Sequence, residues 1–86
     1  IARSYTLDVA QKIQARQNWV TEVSMAKNFA TETADFVTYE AVQIFGGMGY
    51  MRGSVVERLY RDARILSIGG GTTEIMKEII ARQMGI

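Results

Sequence analysis

The hydrophobic residues of this chain recur at steps of three and four, which is the spacing of α-helices, and no segment alternates as a β-strand does. The first apolar stripe predicts a helix within residues 1–15, and a longer stripe predicts a second helix from about Val20 to Phe45. Asn18 or Thr21 is the expected cap of that second helix. The first stripe consists of Ala2, Tyr5, Val9 and Ile13.

The predicted second helix carries apolar residues on two adjacent faces. One face holds small and branched residues, and the other holds Met25, Phe29 and Phe36. The first of these faces consists of Val23, Ala26, Ala30, Val37, Ala41 and Ile44. A helix with two apolar faces needs cover on more than one side. Because one short neighbour cannot supply that cover, we expect the long helix to pack against further helices or other chains.

Glycines mark the ends of the remaining elements. Gly46-Gly47 follows the last turn of the long helix, where glycine is a common C-terminal signal, and residues 48–53 are predicted to form a loop. The segment Ser54–Glu57 matches the capping box of a third helix, whose apolar positions continue to Leu66. A last helix is predicted over Thr72–Met84. The chain is therefore expected to be all-α, an up-and-down helical bundle.

The glycine run at residues 69–71 is the strongest candidate for chemistry. It leads through Thr72 and Thr73 into the last helix, and the first N–H groups of a helix have no intrahelical acceptor. With the helix dipole, such a terminus can hold phosphate or another anion. The run lacks the lysine of the phosphate-loop motif and the preceding strand of the dinucleotide motif. A plain turn followed by a helix cap explains the same residues, so both interpretations stay open.

Composition excludes several classes of function. The chain has 86 residues, 48% of them hydrophobic, with ten basic and nine acidic residues and a net charge of +1. This balance argues against electrostatic nucleic-acid binding, and no apolar window reaches the length of a membrane span. The absence of His and Cys removes thiol chemistry. We expect a single domain over residues 1–86, without a signal peptide, that is a piece of a longer protein.

Three segments in a fixed order resemble the C-terminal helical domain of the acyl-CoA dehydrogenase family. They are Gln43–Tyr50, Glu57–Arg64 and Ile68–Ile75, and the upstream run Ser24–Ala30 fits the same pattern. The resemblance covers nearly the whole chain and implies part of the four-helix bundle of an FAD-containing enzyme. Members oxidise an acyl-CoA thioester to the 2,3-enoyl-CoA, as a carboxylate removes the α-proton and FAD takes hydride from the β-carbon. Their electrons then pass to an acceptor such as an electron-transferring flavoprotein.

The resemblance also implies roles for individual residues. A Gln-x-x-Gly-Gly segment is expected to reach the FAD of a neighbouring subunit in a dimer or tetramer, where glycine lets backbone approach the cofactor. Thr72, Thr73 and Glu74 are expected to lie against the flavin of their own subunit. The backbone of Gly70 and Gly71 is expected to meet the acyl thioester. The Gln-x-x-Gly-Gly segment consists of Gln43, Ile44, Phe45, Gly46 and Gly47.

One position departs from many members of the family. Short- and medium-chain members commonly have Tyr-Glu-Gly-Thr where this chain has Gly69–Thr72, and that glutamate is their catalytic base. Gly70 has no carboxylate, so no catalytic residue is expected in this chain. Isovaleryl- and long-chain-type members also lack the glutamate, and their base lies on an earlier helix, which would precede Ile1. Glu74 is better explained as an acidic residue in a first helical turn than as a substitute base.

The alternative function is a non-catalytic helical self-association module, in which the glycine segments only separate helices. Flavin binding discriminates between the two hypotheses. Under the resemblance, this chain alone is expected to be inactive, and the protein is expected in the cytoplasm of a bacterium or in the mitochondrial matrix of a eukaryote. Tyr50 is expected either near a substrate or packed within its loop.

Overall fold

The computed structural model describes all 86 residues and contains five α-helices and one 3₁₀ turn, with no strand. The all-α prediction is therefore confirmed. The helices are α1 (Ala2–Gln14), α2 (Val20–Phe45), α3 (Gly47–Tyr50), α4 (Val55–Ala63) and α5 (Thr73–Gln83), and the 3₁₀ turn is Arg64–Ser67.

The long helix α2 is the element against which all the others pack. It has 26 residues in a molecule of 46 × 24 × 17 Å, and α1, α3, α4, α5 and the 3₁₀ turn each contact it. The buried residues of α2 are Ser24, Ala26, Asn28 and Thr31. Because these side chains are small or polar, neighbouring elements approach the backbone of α2 closely, and some of that contact is made through hydrogen bonds.

Helix α2 ends at Gly46, which has φ +60° and donates its N–H to the carbonyls of Val42 and Gln43 at 2.9 and 3.3 Å. Glycine adopts this backbone conformation without the penalty that a Cβ atom brings. The chain then forms the single-turn helix α3, so the predicted loop over residues 48–53 was wrong in its first half. Gly49 is buried in that turn, and a turn so short has no apolar periodicity by which a sequence pattern reveals it.

The two later helices begin where the sequence predicts. The Ser54 hydroxyl accepts from the Glu57 N–H at 3.3 Å, and the Thr72 hydroxyl accepts from the Ile75 N–H at 3.2 Å. The capping box at Ser54 is only half formed, because the Glu57 side chain turns to Arg61 instead. The third helix, expected to continue to Leu66, is α-helical only to Ala63 and then tightens into the 3₁₀ turn.

A polar cluster joins α1 to α2. The Tyr5 hydroxyl donates to Glu22 Oε2 at 2.8 Å, and Lys12 Nζ lies 3.2 Å from Asp8 Oδ2 and 3.6 Å from Glu22 Oε1. Burial, reinforced by the hydrogen bond to Glu22, raises the pKa of Tyr5, and the hydrogen bond to Asp8 raises the pKa of Lys12. Trp19, which lies between the two helices in sequence, remains 45% exposed, whereas Val9 of α1 is buried.

The core is thin, since only seven of 86 residues are buried and the hydrophobic ones among them are Val9, Ala26 and Ala63. Large apolar side chains remain exposed along the C-terminal half of α2, as expected for a helix that needs cover on more than one side. These exposed residues are Phe36, Val37, Tyr39, Ile44 and Phe45. Because consecutive residues lie about 100° apart around a helix, these positions extend over more than half of its circumference, and we call this exposed surface the apolar face of α2.

The contact of α3 with α2 predicts opposite effects at two glycines. A methyl group at Gly49 would lie 2.9 Å from Phe45 Cβ and 3.0 Å from the Val42 carbonyl oxygen, whereas one at Gly47 would meet nothing within 4 Å. We expect Gly49→Ala to lower the free energy of unfolding by about 1–3 kcal/mol through overpacking. We expect Gly47→Ala to change it by less than about 0.5 kcal/mol. Urea unfolding measures both values, and equal stabilities would contradict this contact.

Candidate functional site

The two glycine segments lie at different points along α2. Asn28 Nδ2 donates to the Thr73 carbonyl at 3.1 Å, so the start of α5 lies beside the middle of α2. Gln43 follows 15 residues later, which is about 22 Å farther along the helix axis. The structure therefore does not bring the segments Gln43–Gly47 and Gly70–Glu74 into one pocket. This separation is compatible with the expectation that they meet two different flavins.

The glycine run forms a loop with free backbone donors. The N–H groups of Ile68 and Gly69 both donate to the Ile65 carbonyl, at 3.0 and 2.8 Å, but those of Gly70 and Gly71 make no backbone hydrogen bond. Gly70 has φ +68° and is exposed, in the left-handed region that other residues enter only at a cost. The loop can therefore offer two N–H groups to an oxygen atom outside the chain.

Two consecutive residues of α2 hold this loop in place. Lys27 Nζ donates to the Leu66 carbonyl at 3.2 Å and also to the Gly71 carbonyl. The Asn28 side-chain amide donates to the Thr73 carbonyl, two residues after Gly71. No carboxylate lies within ion-pair distance of the lysine. Its charge is thus directed at backbone carbonyls on both sides of the glycines.

Sequence reasoning assigned no role to Lys27 or Asn28, apart from noting that their segment fits a family pattern. A signal was nevertheless present, because both residues lie in a helix segment of small and apolar side chains, and their neighbour Ala26 is buried. A polar side chain buried in such a segment usually has a hydrogen-bond partner. Without the fold, the partner could not be identified, since it lies about 40 residues away.

A groove of about 250 Å³ lies at the start of α5 and contains Thr72, Thr73 and Glu74. The rest of its lining is Glu32, Asp35, Arg64, Ser67 and Ile68. The lining therefore carries three carboxylates and one guanidinium. This negative balance repels a phosphate, whereas an uncharged group that forms hydrogen bonds can bind there. The Thr72 hydroxyl oxygen already accepts from the Ile75 N–H, so this group can offer its own proton to a ligand.

A second groove, of about 420 Å³, lies between the end of α2, α3 and α4. Arg61 Nε donates to Glu57 Oε1 at 2.9 Å, and this bond lowers the pKa of Glu57. These two residues form an ion pair one helical turn apart, whereas Arg58 and Asp62 form none. Tyr50 is 81% exposed, which is inconsistent with its packing inside a loop. The groove is lined by Val42, Gly49, Tyr50, Glu57, Tyr60, Arg61 and Arg64.

The Gln43–Gly47 segment is open to the outside on the same corner of the molecule. All five residues are exposed, with Ile44 at 81%, and the Gln43 side chain makes no hydrogen bond within the chain. Residues 52–55, which come shortly after this segment, line a small groove of about 150 Å³ together with Glu57, Arg58 and Arg61. This corner therefore offers an amide, an unobstructed glycine and nearby positive charge.

No cluster of acidic residues is arranged to hold a metal ion. None of the helices combines the length and the apolarity that a bilayer crossing requires. The remaining chemistry of the site is that of backbone N–H groups, threonine hydroxyls and a few charged side chains.

Comparison with known proteins identifies the family. The family model described as acyl-CoA dehydrogenase, C-terminal domain, matches residues 1–85. The chain belongs to the acyl-CoA dehydrogenase family. A probable acyl-CoA dehydrogenase of Bacillus subtilis, YngJ, is 42% identical over 84 residues, which are 98% of this chain and 22% of that protein. A crystal structure of a probable acyl-CoA dehydrogenase from Mycobacterium abscessus is 61% identical, with a TM-score of 0.96 over 98% of this chain and 22% of that one.

Another relative is named for a different activity. An acryloyl-CoA reductase (NADH) of Anaerotignum propionicum is 45% identical over 83 residues, which are 96% of this chain and 21% of that protein. This chain thus spans about a fifth of the length of its relatives. The comparisons confirm the family and the helical domain.

The cap at Thr72 gives a test of the local structure of this acyl-CoA dehydrogenase domain. Because its hydroxyl accepts from the Ile75 N–H, Thr72→Ala should lower the free energy of unfolding by about 1 kcal/mol. Thr72→Ser keeps the oxygen and is the matched control, with a loss of less than about 0.5 kcal/mol. Chemical denaturation measures both, and an unchanged alanine variant would contradict the cap.

Proposed function

We propose that this chain is the part of an FAD-dependent acyl-CoA dehydrogenase that holds FAD at a subunit boundary and shapes the acyl site. The whole protein then oxidises acyl-CoA to 2,3-enoyl-CoA. The observation that carries the proposal is the glycine loop, which Lys27 holds with the N–H groups of Gly70 and Gly71 free of backbone partners. Membership of the family supplies the reaction class.

The free N–H groups suit a carbonyl oxygen that gains negative charge. When the α-proton leaves an acyl thioester, charge develops on the carbonyl oxygen, and donors already in place stabilise it. We assign this role to the backbone of Gly70, with Gly71 beside it at the thioester. Bound FAD supplies the acceptor for the β-hydride. The base is proposed to be a carboxylate outside residues 1–86, as in isovaleryl- and long-chain-type enzymes, because position 70 has no side chain.

The charges around the two segments fit different parts of FAD. The acidic groove at Thr72, Thr73 and Glu74 suits the uncharged flavin ring, which offers hydrogen-bonding atoms without a phosphate. The arginines that follow the Gln43–Gly47 segment, such as Arg52, suit the pyrophosphate of a cofactor held by a neighbouring subunit. We therefore assign these two segments to two flavins.

The partners follow from the same assignment. The apolar face of α2 runs toward Gln43–Gly47 and ends with Ile44 and Phe45, which belong to both. A subunit boundary there covers the face and brings a second FAD to the segment, so we propose a homodimer or homotetramer. We also propose an electron-transferring flavoprotein as electron acceptor, and a cytoplasmic or mitochondrial-matrix location according to the organism.

Gly47 provides the test of the FAD contact. A side chain there meets nothing within 4 Å in this chain, so Gly47→Val should leave its fold intact. We expect the full-length protein with Gly47→Val to bind less than about half of the wild-type FAD, because a side chain occupies the space that backbone leaves for the cofactor. Gly47→Ala is the graded control. Flavin absorbance per subunit is the measurement, and full occupancy in the valine variant counts against the assignment.

Gly70 provides the test of the acyl contact. In the full-length protein, Gly70→Glu should lower turnover of branched or bulky acyl-CoA about tenfold or more while FAD content is kept, since a second carboxylate raises the pKa of the base and crowds the acyl chain. Gly70→Asn is the control for backbone strain, because asparagine tolerates the left-handed conformation. If Gly70→Glu empties the flavin site instead, the roles of the two glycine segments are wrongly assigned.

The non-catalytic self-association module remains the second candidate, and the exposed apolar face of α2 favours it. A polypeptide of these 86 residues is expected to self-associate and to show no acyl-CoA-dependent dye reduction. Sedimentation equilibrium at micromolar concentration tests the first expectation, and a clean 9.6 kDa monomer would contradict it. If the full-length protein binds one flavin per subunit, self-association alone does not explain its function. Dye reduction by the 86-residue polypeptide would contradict its expected inactivity.

A further inference from the structure

We propose that Lys27 and Asn28 are positioning residues, which fix the orientation of the backbone N–H donors at the α5 N-terminus, beside the groove that contains Thr72, Thr73 and Glu74. This inference rests on the proposed function for its catalytic consequence. Neither residue needs to touch substrate or cofactor, because both act through the peptide groups they hold.

The geometry follows from the planar peptide group. In a trans peptide, the C=O and N–H of one unit point in opposite directions. Lys27 draws the Gly71 carbonyl toward α2, so the N–H of the same unit, which belongs to Thr72, points away from α2. Asn28 holds the Thr73 carbonyl of the next turn, and the Glu74 N–H of that unit points toward the start of α5, as N–H groups of a first helical turn do. Neither of these two N–H groups makes a backbone hydrogen bond.

The lysine fixes the loop from both ends. Its ammonium group donates to Leu66, the residue just before the end of the 3₁₀ turn, and to Gly71, the last glycine. Hydrogen bonds from a charged donor are stronger than neutral ones, and these two cross the whole glycine run. The stem also supports the loop, since a Cβ at Gly70 would lie 3.9 Å from Lys27 Cε. The amine and the stem therefore have separable effects.

The environment of Asn28 favours a positioning role over simple stabilisation. The side chain is 7% exposed, and its Oδ1 atom is buried without a hydrogen-bond partner. Turning the amide over would set that oxygen against the Thr73 carbonyl, where both atoms are acceptors, so the orientation is fixed. A buried unpaired acceptor is unfavourable. An apolar residue would avoid that penalty, but it could not hold the carbonyl.

The experiment uses the full-length protein with its flavin and separates the amine from the stem. Lys27→Met keeps the stem and removes both hydrogen bonds, Lys27→Arg keeps a charged donor, and Lys77→Met on the exposed face of α5 is the matched control. Hydrogen exchange is followed at the Ile75 and Met76 amides, which donate to the hydroxyl and carbonyl of Thr72. Flavin content, kcat and KM are measured on the same samples.

We expect Lys27→Met to speed exchange at these two amides about tenfold and to lower kcat by about 10- to 100-fold, because a small displacement of the donors beside the flavin misaligns the reacting groups. KM and flavin content should change less than about threefold. Lys27→Arg should recover part of kcat, and Lys77→Met should match wild type.

Two outcomes would overturn the inference. One is unchanged exchange and kcat in Lys27→Met. The other is a loss of activity that merely follows the loss of flavin, which is the signature of a structural defect. A third outcome separates the two proposals. If the full-length wild-type protein binds no flavin, and exchange in Lys27→Met is still faster than in wild type, the proposed function is overturned but the positioning contact is supported.

Discussion

The structure depends on hydrogen bonds that run from the middle of α2 to the backbone near the glycine run. Lys27 and Asn28 connect residues nearly half a chain apart, at Leu66, Gly71 and Thr73. Without them, the glycine run would be a flexible connection between two short helices, because glycine has little conformational preference of its own. With them, one end of α5 and the loop before it have a defined place relative to the long helix.

The same helix explains why so little of the chain is buried. Its neighbours contact it through small or polar side chains such as Ser24, Ala26 and Thr31, which allow close approach but contribute little apolar area. Its large apolar residues, such as Phe36 and Ile44, lie on the face that these neighbours leave open. The hydrophobic stabilisation of this domain therefore depends on surfaces beyond these five helices. The proposed subunit boundary would supply such a surface.

The sequence predicted the elements but not what joins them. The apolar stripes predicted α2 with the bounds that it has in the structure. The helix starts at Ser54 and Thr72 were predicted because capping depends on residues that are close in sequence. Helix α3 was missed because one turn has no period to detect. Lys27 and Asn28 were missed as contacts because their partners are backbone carbonyls, which carry no residue-specific signal. The family resemblance pointed to the two glycine segments, but not to the side chains that hold the run at residues 69–71.

The glycines themselves show how structural and functional demands can be told apart. Gly46 and Gly70 have positive φ values, so the backbone conformation alone explains them. Gly49 is explained by packing, because a Cβ there would meet Phe45 and Val42 at 2.9 and 3.0 Å. Gly47 is the first residue of α3, and it has neither a positive φ nor a close neighbour. Neither backbone conformation nor packing within the chain therefore explains a glycine at that position. The proposed approach of a cofactor at a subunit boundary would explain it, because only a position without a side chain lets another molecule reach the backbone.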